Sequence, residues 1–282
     1  MQFITKYAEI SREVKLPYVE SGAASGVPVI FLHGITDSWR SFELLLPHLP
    51  EWIRAFAVTQ RGHGDATRPE DGYSADDFAA DVAGFMDTVG LERAVIVGHS
   101  MGSFNAQRFA AEYQKRTSAL ILIGSFTSCL DNRGVKEFYE MAIKPLTDPI
   151  PPEFAREFQE STVAKPLSEA FLEMVTGESL KVPARVWKAA MEGVVTDDNS
   201  DFLRKIKAPT LLIWGEKDAY FPHSEQEKLL RKIEKSELNV YTKTGHAPHW
   251  EEPEKTAADI ADFIEQNVGV KRDVSREFVY TV

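Results

Sequence analysis

Ala94-Val95-Ile96-Val97-Gly98-His99-Ser100-Met101-Gly102 is the stretch on which the fold turns. Four apolar, mostly β-branched residues run into the pattern G-x-S-x-G, and residues 103–116 follow with a helical pattern. Strand, tight turn and helix in that order make a nucleophile elbow, which lifts a serine hydroxyl clear of a sheet edge. The two glycines matter because side chains there would hold the strand and helix backbones apart around a strained serine. Without the flanking elements the same five residues describe only a glycine-rich turn.

Outward from this stretch, short apolar runs alternate with helical patterns. That is the pattern of an α/β fold: a mostly parallel twisted sheet with helices on both faces. Residues 2–20 predict antiparallel strands leading to a turn at 21–26. Residues 27–32 predict a buried strand that ends at His33-Gly34, and 55–59, 119–123, 210–214 and 238–241 predict further strands. Ser74 with Asp77 predicts a helix N-cap; Phe78, Val82, Phe85, Met86 and Val89 then share a face, and Gly90 ends the helix. Ser224 with Glu227 predicts a second capping box, and Pro253 opens the final helix.

The strand rhythm breaks between 127 and 205. Leu167, Ala170, Phe171, Met174 and Val175 form one helical stripe, and Val186, Trp187, Ala190, Met191 and Val194 another, while Phe154 and Phe158 are an i, i+4 pair. Prolines 149, 151, 152, 166 and 183 separate the helices. The expected organisation is an α/β core of residues 1–126 and 206–282, with 127–205 inserted as a helical cap. Most of these stripes serve packing, and the cap as a whole roofs the site. Residues 271–282 carry no strong pattern and read as an extra strand or a loose end.

The chain has 282 residues, 43% of them hydrophobic, and a net charge of −11. That is enough for one large core. An acidic surface repels phosphate backbones and anionic lipid heads, so neither nucleic acid nor a membrane is expected as a partner. The single cysteine, Cys129, excludes an internal disulfide and reads as a small buried residue. No run approaches the roughly 18 apolar residues of a membrane span. The first residues lack the basic and apolar regions of a signal peptide, so a cytoplasmic protein, monomer or homodimer, is the expectation.

A serine hydroxyl is a weak nucleophile at neutral pH; it needs a base within hydrogen-bond reach and a third group to orient that base. Gly215-Glu216-Lys217-Asp218 and Thr244-Gly245-His246 follow two later strands, on the same rim as the elbow. The order Ser, Asp, His suits this architecture. Ser100 is assigned as nucleophile, His246 as general base and then acid, and Asp218 as the orienting carboxylate. Glu216 and His249 are the competitors for the latter two roles. His99 is expected under the site, and His48 and His223 at the surface or a helix edge. The histidine spacings match no H-x-x-x-H or H-E-x-x-H pattern, so neither metal nor cofactor is expected.

At this point the chain resembles the α/β-hydrolase superfamily over most of its length. The resemblance rests on Phe31-Leu32-His33-Gly34, Arg61-Gly62-His63-Gly64, Gly98-His99-Ser100-Met101-Gly102, Trp214-Gly215-Glu216-Lys217-Asp218, and Gly245-His246 followed by Trp250-Glu251-Glu252-Pro253. It implies an oxyanion hole made by the backbone N–H groups of Met101 and Ile35, with Thr36 in the second place if the loop is offset by one. It also implies that His33 shapes this loop and His63 braces its own.

Such machinery suits acyl transfer to water. Epoxide hydrolases and haloalkane dehalogenases of similar fold use a carboxylate nucleophile, which Ser100 cannot replace. The expected activity is hydrolysis of a carboxylic ester or lactone of a small, partly apolar molecule. A carbon–carbon bond hydrolase on the same triad, a cofactor-free perhydrolase and a ligand-sensing receptor are the alternatives. Trp39, Phe126 and Trp187 are the candidate substrate-binding residues, and Phe138, Met141, Phe154, Phe171 and Met191 are further apolar groups of the cap.

Overall fold

The computed structural model of the chain describes residues 3–269, so the segment 271–282 lies outside the described residues. Eight strands form one sheet: β1 (Lys6–Glu9), β2 (Lys15–Ser21), β3 (Val27–Leu32), β4 (Ile53–Val58), β5 (Ala94–His99), β6 (Thr117–Ile123), β7 (Thr210–Gly215) and β8 (Ser236–Tyr241), in the spatial order β1-β2-β4-β3-β5-β6-β7-β8. β1 with β2 and β2 with β4 pair antiparallel, and every other pair is parallel. The first parallel strands read as unbroken apolar runs because helices cover both faces.

Period-two alternation divides the core. Ile30, Leu32, Ile96, Leu120, Leu122 and Leu212 point to one face, where they meet α1 (Ala75–Thr88), α2 (Met101–Glu112) and α7 (His223–Lys232). Val29, Phe31, Val95, Val97, Ile121 and Ile213 point to the other, against α8 (Pro253–Ile264) and the 3₁₀ turn Trp39–Phe42. Between β6 and β7 the chain leaves the sheet for α3 (Arg133–Phe138), α4 (Pro152–Glu160), α5 (Glu169–Leu180) and α6 (Ala184–Thr196). Apolar residues of α3, α4 and α6 form a separate cluster with Met101, Phe104 and Phe126 of the core, while Phe171, Leu172 and Val175 of α5 pack with Ala247 and Trp250. No described helix is long and apolar enough to cross a membrane.

Local signals translate unevenly. Ser74 and Asp77 form the expected capping box at α1, each backbone N–H donating to the other's side chain. The box expected at Ser224 is absent: α7 begins one residue earlier, after Pro222, whose fixed φ of −70° sets the helix entry without a side-chain cap. Glu227 instead pairs with His223 at 3.4 Å and Arg231 at 3.5 Å. The helix after the elbow starts at Met101, two residues before its expected start, and stops at Glu112 before a 3₁₀ turn.

The elbow depends on two missing side chains. A Cβ on Gly98 would collide with the backbone of Gly102, and one on Gly102 with the carbonyls of Leu32 and His33 at the end of β3. Both obstacles are backbone, which cannot rotate away. Around the elbow, His33, His63, His99 and His249 are all buried. Burial penalises the imidazolium form, lowering His63 to about 4 and His249 to about 3, and holding His33 and His99 well below their ordinary value of 6.5. Asp37 moves the opposite way: burial, helped by the charge of Glu178, raises its carboxyl to about 7.

Gly102→Ala is expected to lower stability by about 1–3 kcal/mol or more. Gly177→Ala, in α5 where a new Cβ meets nothing within 4 Å, is expected to raise it by about 0.4–1 kcal/mol. Urea unfolding of both variants beside the wild type checks the contrast. For pH, the four imidazoles are neutral when folded and protonate when unfolded, so their contribution is complete above pH 6.5 and is lost as pH falls towards 4. Asp37 opposes them, because it holds a proton in the folded state up to about pH 7. The imidazoles outnumber the opposing carboxyl, so stability is expected to fall as the pH is lowered from 6.5 towards 4. A stability that stays flat over that range would contradict the burial of the four rings.

Candidate active site

Ser100 sits between β5 and α2 with φ 52° and ψ −119°, a strained conformation costing about 1–3 kcal/mol. Surrounding bonds hold it there. Its N–H donates to the Ile123 carbonyl at 3.0 Å, and its own carbonyl accepts from the N–H groups of Ser103 and Phe104 and from Ser103 Oγ at 2.6 Å. Met101 is the first residue of α2, so its N–H has no partner within the helix and lies at the positive end of the helix dipole.

Asp218 lies in the loop after β7 with its side chain fully buried. Oδ1 accepts the N–H groups of Tyr220 at 2.8 Å and Phe221 at 3.1 Å, and Oδ2 accepts His246 Nδ1 at 2.8 Å. That bond assigns the imidazole proton to Nδ1 and leaves Nε2 with a lone pair, the form a general base needs. The rings of Tyr220 and Phe221 lie 5.1 and 5.5 Å from that of His246 and shield the pair from water. Glu216, by contrast, is exposed and 3.7 Å from Lys217. His249 is packed between Phe42, His99 and Trp250, with Nε2 3.2 Å from Ser41 Oγ.

Ser100, Met101 and His246 share a cavity of about 270 Å³ with Gly34 and Ile35 of the loop after β3. Thr36 does not line it: the side chain is buried and its Oγ1 lies 3.1 Å from Ser179 Oγ. Of the candidate substrate-binding residues, Phe126 forms part of the wall, stacked 4.2 Å from Phe221. Trp39 and Trp187 need correcting, because neither lines the cavity. Trp187 is fully buried behind Phe154 and Phe158 and donates its indole N–H to the Ser179 carbonyl, while Trp39 packs under the sheet face with Phe3 and Arg40. Phe138 and Met191 line the cavity, Phe171 packs on Trp250 instead, and Met141 is exposed.

Several lining residues had no sequence signal. Asp37, Asn132, Gln159, Thr162 and Tyr220 are the polar ones. Gln159 donates to Asp37 Oδ1 at 2.9 Å and to Ser179 Oγ at 2.7 Å, tying α4 to the loop after β3. Tyr220 was within reach of reasoning: its N–H closes a two-residue Asx turn on Asp218. Among the described residues no three His, Cys, Asp or Glu side chains gather as a metal-binding group.

Comparison with known proteins agrees with this architecture. A family model described as alpha/beta hydrolase fold matches residues 27–253. The AB hydrolase superfamily protein YisY of Bacillus subtilis (strain 168) is 32% identical over 254 residues, covering 84% of this chain and 91% of that protein. A 2-hydroxy-6-oxononadienedioate/2-hydroxy-6-oxononatrienedioate hydrolase of Burkholderia vietnamiensis is 24% identical, covering 92% and 95%. Among solved structures, an esterase from Exiguobacterium antarcticum superposes with a TM-score of 0.82 at 24% identity, covering 93% of this chain and all of that one. With the sheet order, the elbow and the inserted helices in place, the chain belongs to the α/β-hydrolase-fold family.

Proposed function

We propose that this hydrolase cleaves a carboxylic ester or lactone of a small, uncharged, partly apolar substrate. Ser100 Oγ attacks the carbonyl carbon while His246 Nε2 takes its proton. The oxyanion forms against the N–H groups of Met101 and Ile35. Collapse expels the alcohol, which receives the proton from His246, and leaves an acyl-enzyme on Ser100. Water, deprotonated by His246, repeats the attack and releases the acid. Asp218 holds the Nδ1 proton throughout. Residues 127–205 act as the cap over this cavity, in a cytoplasmic protein acting as a monomer or homodimer.

The observation that carries the choice of substrate is the lining of the cavity: none of the described residues there is a lysine or an arginine. Phe126, Val135, Phe138, Phe158, Met191, Val194 and Phe221 supply apolar walls instead. A substrate carboxylate desolvated among these groups would lack a countercharge, and burying an unpaired charge is expensive. Carbon–carbon bond hydrolysis is the second reading, favoured by the Burkholderia relative's name. The dioate in that name would need an anion partner that this cavity does not present.

p-Nitrophenyl esters from acetate to octanoate test the proposal. The wild type is expected to turn them over with an optimum at short to medium chains. Ser100→Ala is expected to lose about 10³-fold or more, and Asp218→Asn about 10⁴-fold through the wrong imidazole tautomer. If Glu216→Gln rather than Asp218→Asn abolishes turnover, the acid is misassigned. Turnover of a vinylogous 1,5-diketone acid with none of any ester would overturn the ester reading in favour of the second.

A further inference from the structure

The turn that carries Ile35 is held in a shape its own sequence disfavours. The Asp37 N–H donates to the Gly34 carbonyl at 3.3 Å, so residues 34–37 form a four-residue turn with Ile35 and Thr36 at its centre. Thr36 has φ 66°. A positive φ at the third position of a turn suits glycine or asparagine, because a Cβ crowds the backbone there. Three described residues other than glycine have positive φ, and Thr36 is the only β-branched one among them, the type for which this region is most strained. Such a residue persists only where its surroundings over-determine it.

The surroundings that do so come from the inserted helices. The Thr36 side chain is fully buried, with Oγ1 3.1 Å from Oγ of Ser179, which is fully buried near the end of α5. Gln159 of α4 directs its Nε2 at Ser179 Oγ, 2.7 Å away, and at Asp37 Oδ1, 2.9 Å away. Accepting from Gln159, the Ser179 hydroxyl keeps its own hydrogen for Thr36. Both hydroxyls are sealed from solvent, so neither can replace a lost partner cheaply. Ile35 itself packs against the apolar cluster that the inserted helices share with Met101. Neither Thr36 nor Ser179 lines the cavity. A change at either acts on the reaction only through the shape of the loop.

We propose that Ser179 is a positioning residue for the oxyanion hole: its bond to Thr36 holds that residue at positive φ and so fixes the turn from which Ile35 presents its N–H. Without the bond, Thr36 relaxes to negative φ. The peptide joining it to Ile35 then rotates, and the donor at the start of Ile35 loses its aim. Met101 needs no such support, because the backbone packing of Gly98 and Gly102 sets it. The two donors therefore answer to different parts of the chain, one to the sheet and elbow, the other to α5. The proposal rests on the ester reading for what the Ile35 N–H stabilises, and on the geometry of the turn for what holds it.

Two readouts test it: turnover of p-nitrophenyl butanoate, and binding of butyl trifluoromethyl ketone. The ketone takes Ser100 Oγ at its carbonyl carbon, the serine proton passes to His246, and the former carbonyl oxygen becomes an oxyanion in the hole without any turnover. Ser179→Ala removes the partner. Thr36→Val keeps the branching and loses the hydroxyl, and Thr36→Gly loses the hydroxyl together with the strain it opposes. Ser179→Ala and Thr36→Val are expected to lower kcat by about tenfold or more with KM little changed, a part of the roughly 10²–10³ that a whole oxyanion donor supplies. Their affinity for the ketone, read by fluorine NMR, is expected to fall by a similar factor. Thr36→Gly removes the most atoms yet is expected to recover most of both losses, because glycine takes positive φ unaided. Losses ordered by atoms removed, with Thr36→Gly the slowest, overturn the proposal, as does a Thr36→Val enzyme with wild-type kcat and ketone affinity. If Ser179→Ala does not fold, the two Thr36 variants decide alone. Ketone affinities in the expected order with no ester turnover by the wild type would sink the ester reading and leave the role of Ser179 standing. A wild type that neither turns over the ester nor binds the ketone overturns both.

Discussion

The close approach of the elbow to the end of β3 is the constraint on which the rest of the site depends. Gly102 lies against the carbonyls of Leu32 and His33, and Gly98 against the backbone of Gly102. These contacts set the distance between two loops that are 65 residues apart in sequence, the one holding Ser100 and the one holding Ile35. An oxyanion hole with one donor from each loop is only as well formed as that distance. Packing of a backbone on a backbone has no rotamer freedom, so it is a stiffer spacer than any pair of side chains. The strain at Ser100 is held by the same junction, through its bonds to Ile123, Ser103 and Phe104.

A second set of contacts fastens the inserted helices to this junction. The end of α4 is tied on both sides of the cavity. Gln159 reaches Asp37 beside the oxyanion loop, Ser161 Oγ meets Tyr220 Oη at 2.5 Å, and the Thr162 carbonyl accepts from the N–H of Ala247, next to His246. Glu251 extends the tie: its Oε1 accepts from the N–H groups of both Gly245 and Ala164. One short segment therefore touches the loops that carry the candidate base, the acid and the oxyanion donors. A displacement of α4 would be felt at all of them, which makes this segment the place where substrate shape under the inserted helices can be read by the chemistry below.

The parts of this arrangement that were legible in the sequence are those with a period or a rigid spacing. The buried strands announce themselves as apolar runs, the elbow as two glycines around a serine, and Asp218 and His246 as polar residues directly after strands. The parts that were not legible lie where neighbours come from distant elements. Trp187 and Met191 share one stripe of α6, yet Trp187 faces the packing behind Phe158 and Met191 the cavity, because the stripe is wider than the cavity wall. Asp37 looks like an ordinary loop aspartate, and only its burial against Gln159 and Ser41 shows otherwise. At α7 a capping-box pattern lost to Pro222, whose ring sets φ before any side chain can cap.

Electrostatics act on the same choice of substrate at two ranges. At long range the chain's net charge of −11 raises the free energy of an approaching anion. Among the described residues that line the cavity Asp37 is the only one with a carboxyl, and none carries a permanent positive charge to offset a second one. The candidate oxyanion donors cannot take that part without losing their own, because a ground-state carboxylate bound there would be an inhibitor rather than a substrate. An uncharged acyl group avoids both penalties and leaves the N–H donors for the charge that develops only in the transition state. The acidic surface, the apolar walls and the unspent backbone donors thus favour the same kind of molecule, one that arrives neutral and becomes negative only at the carbonyl under attack.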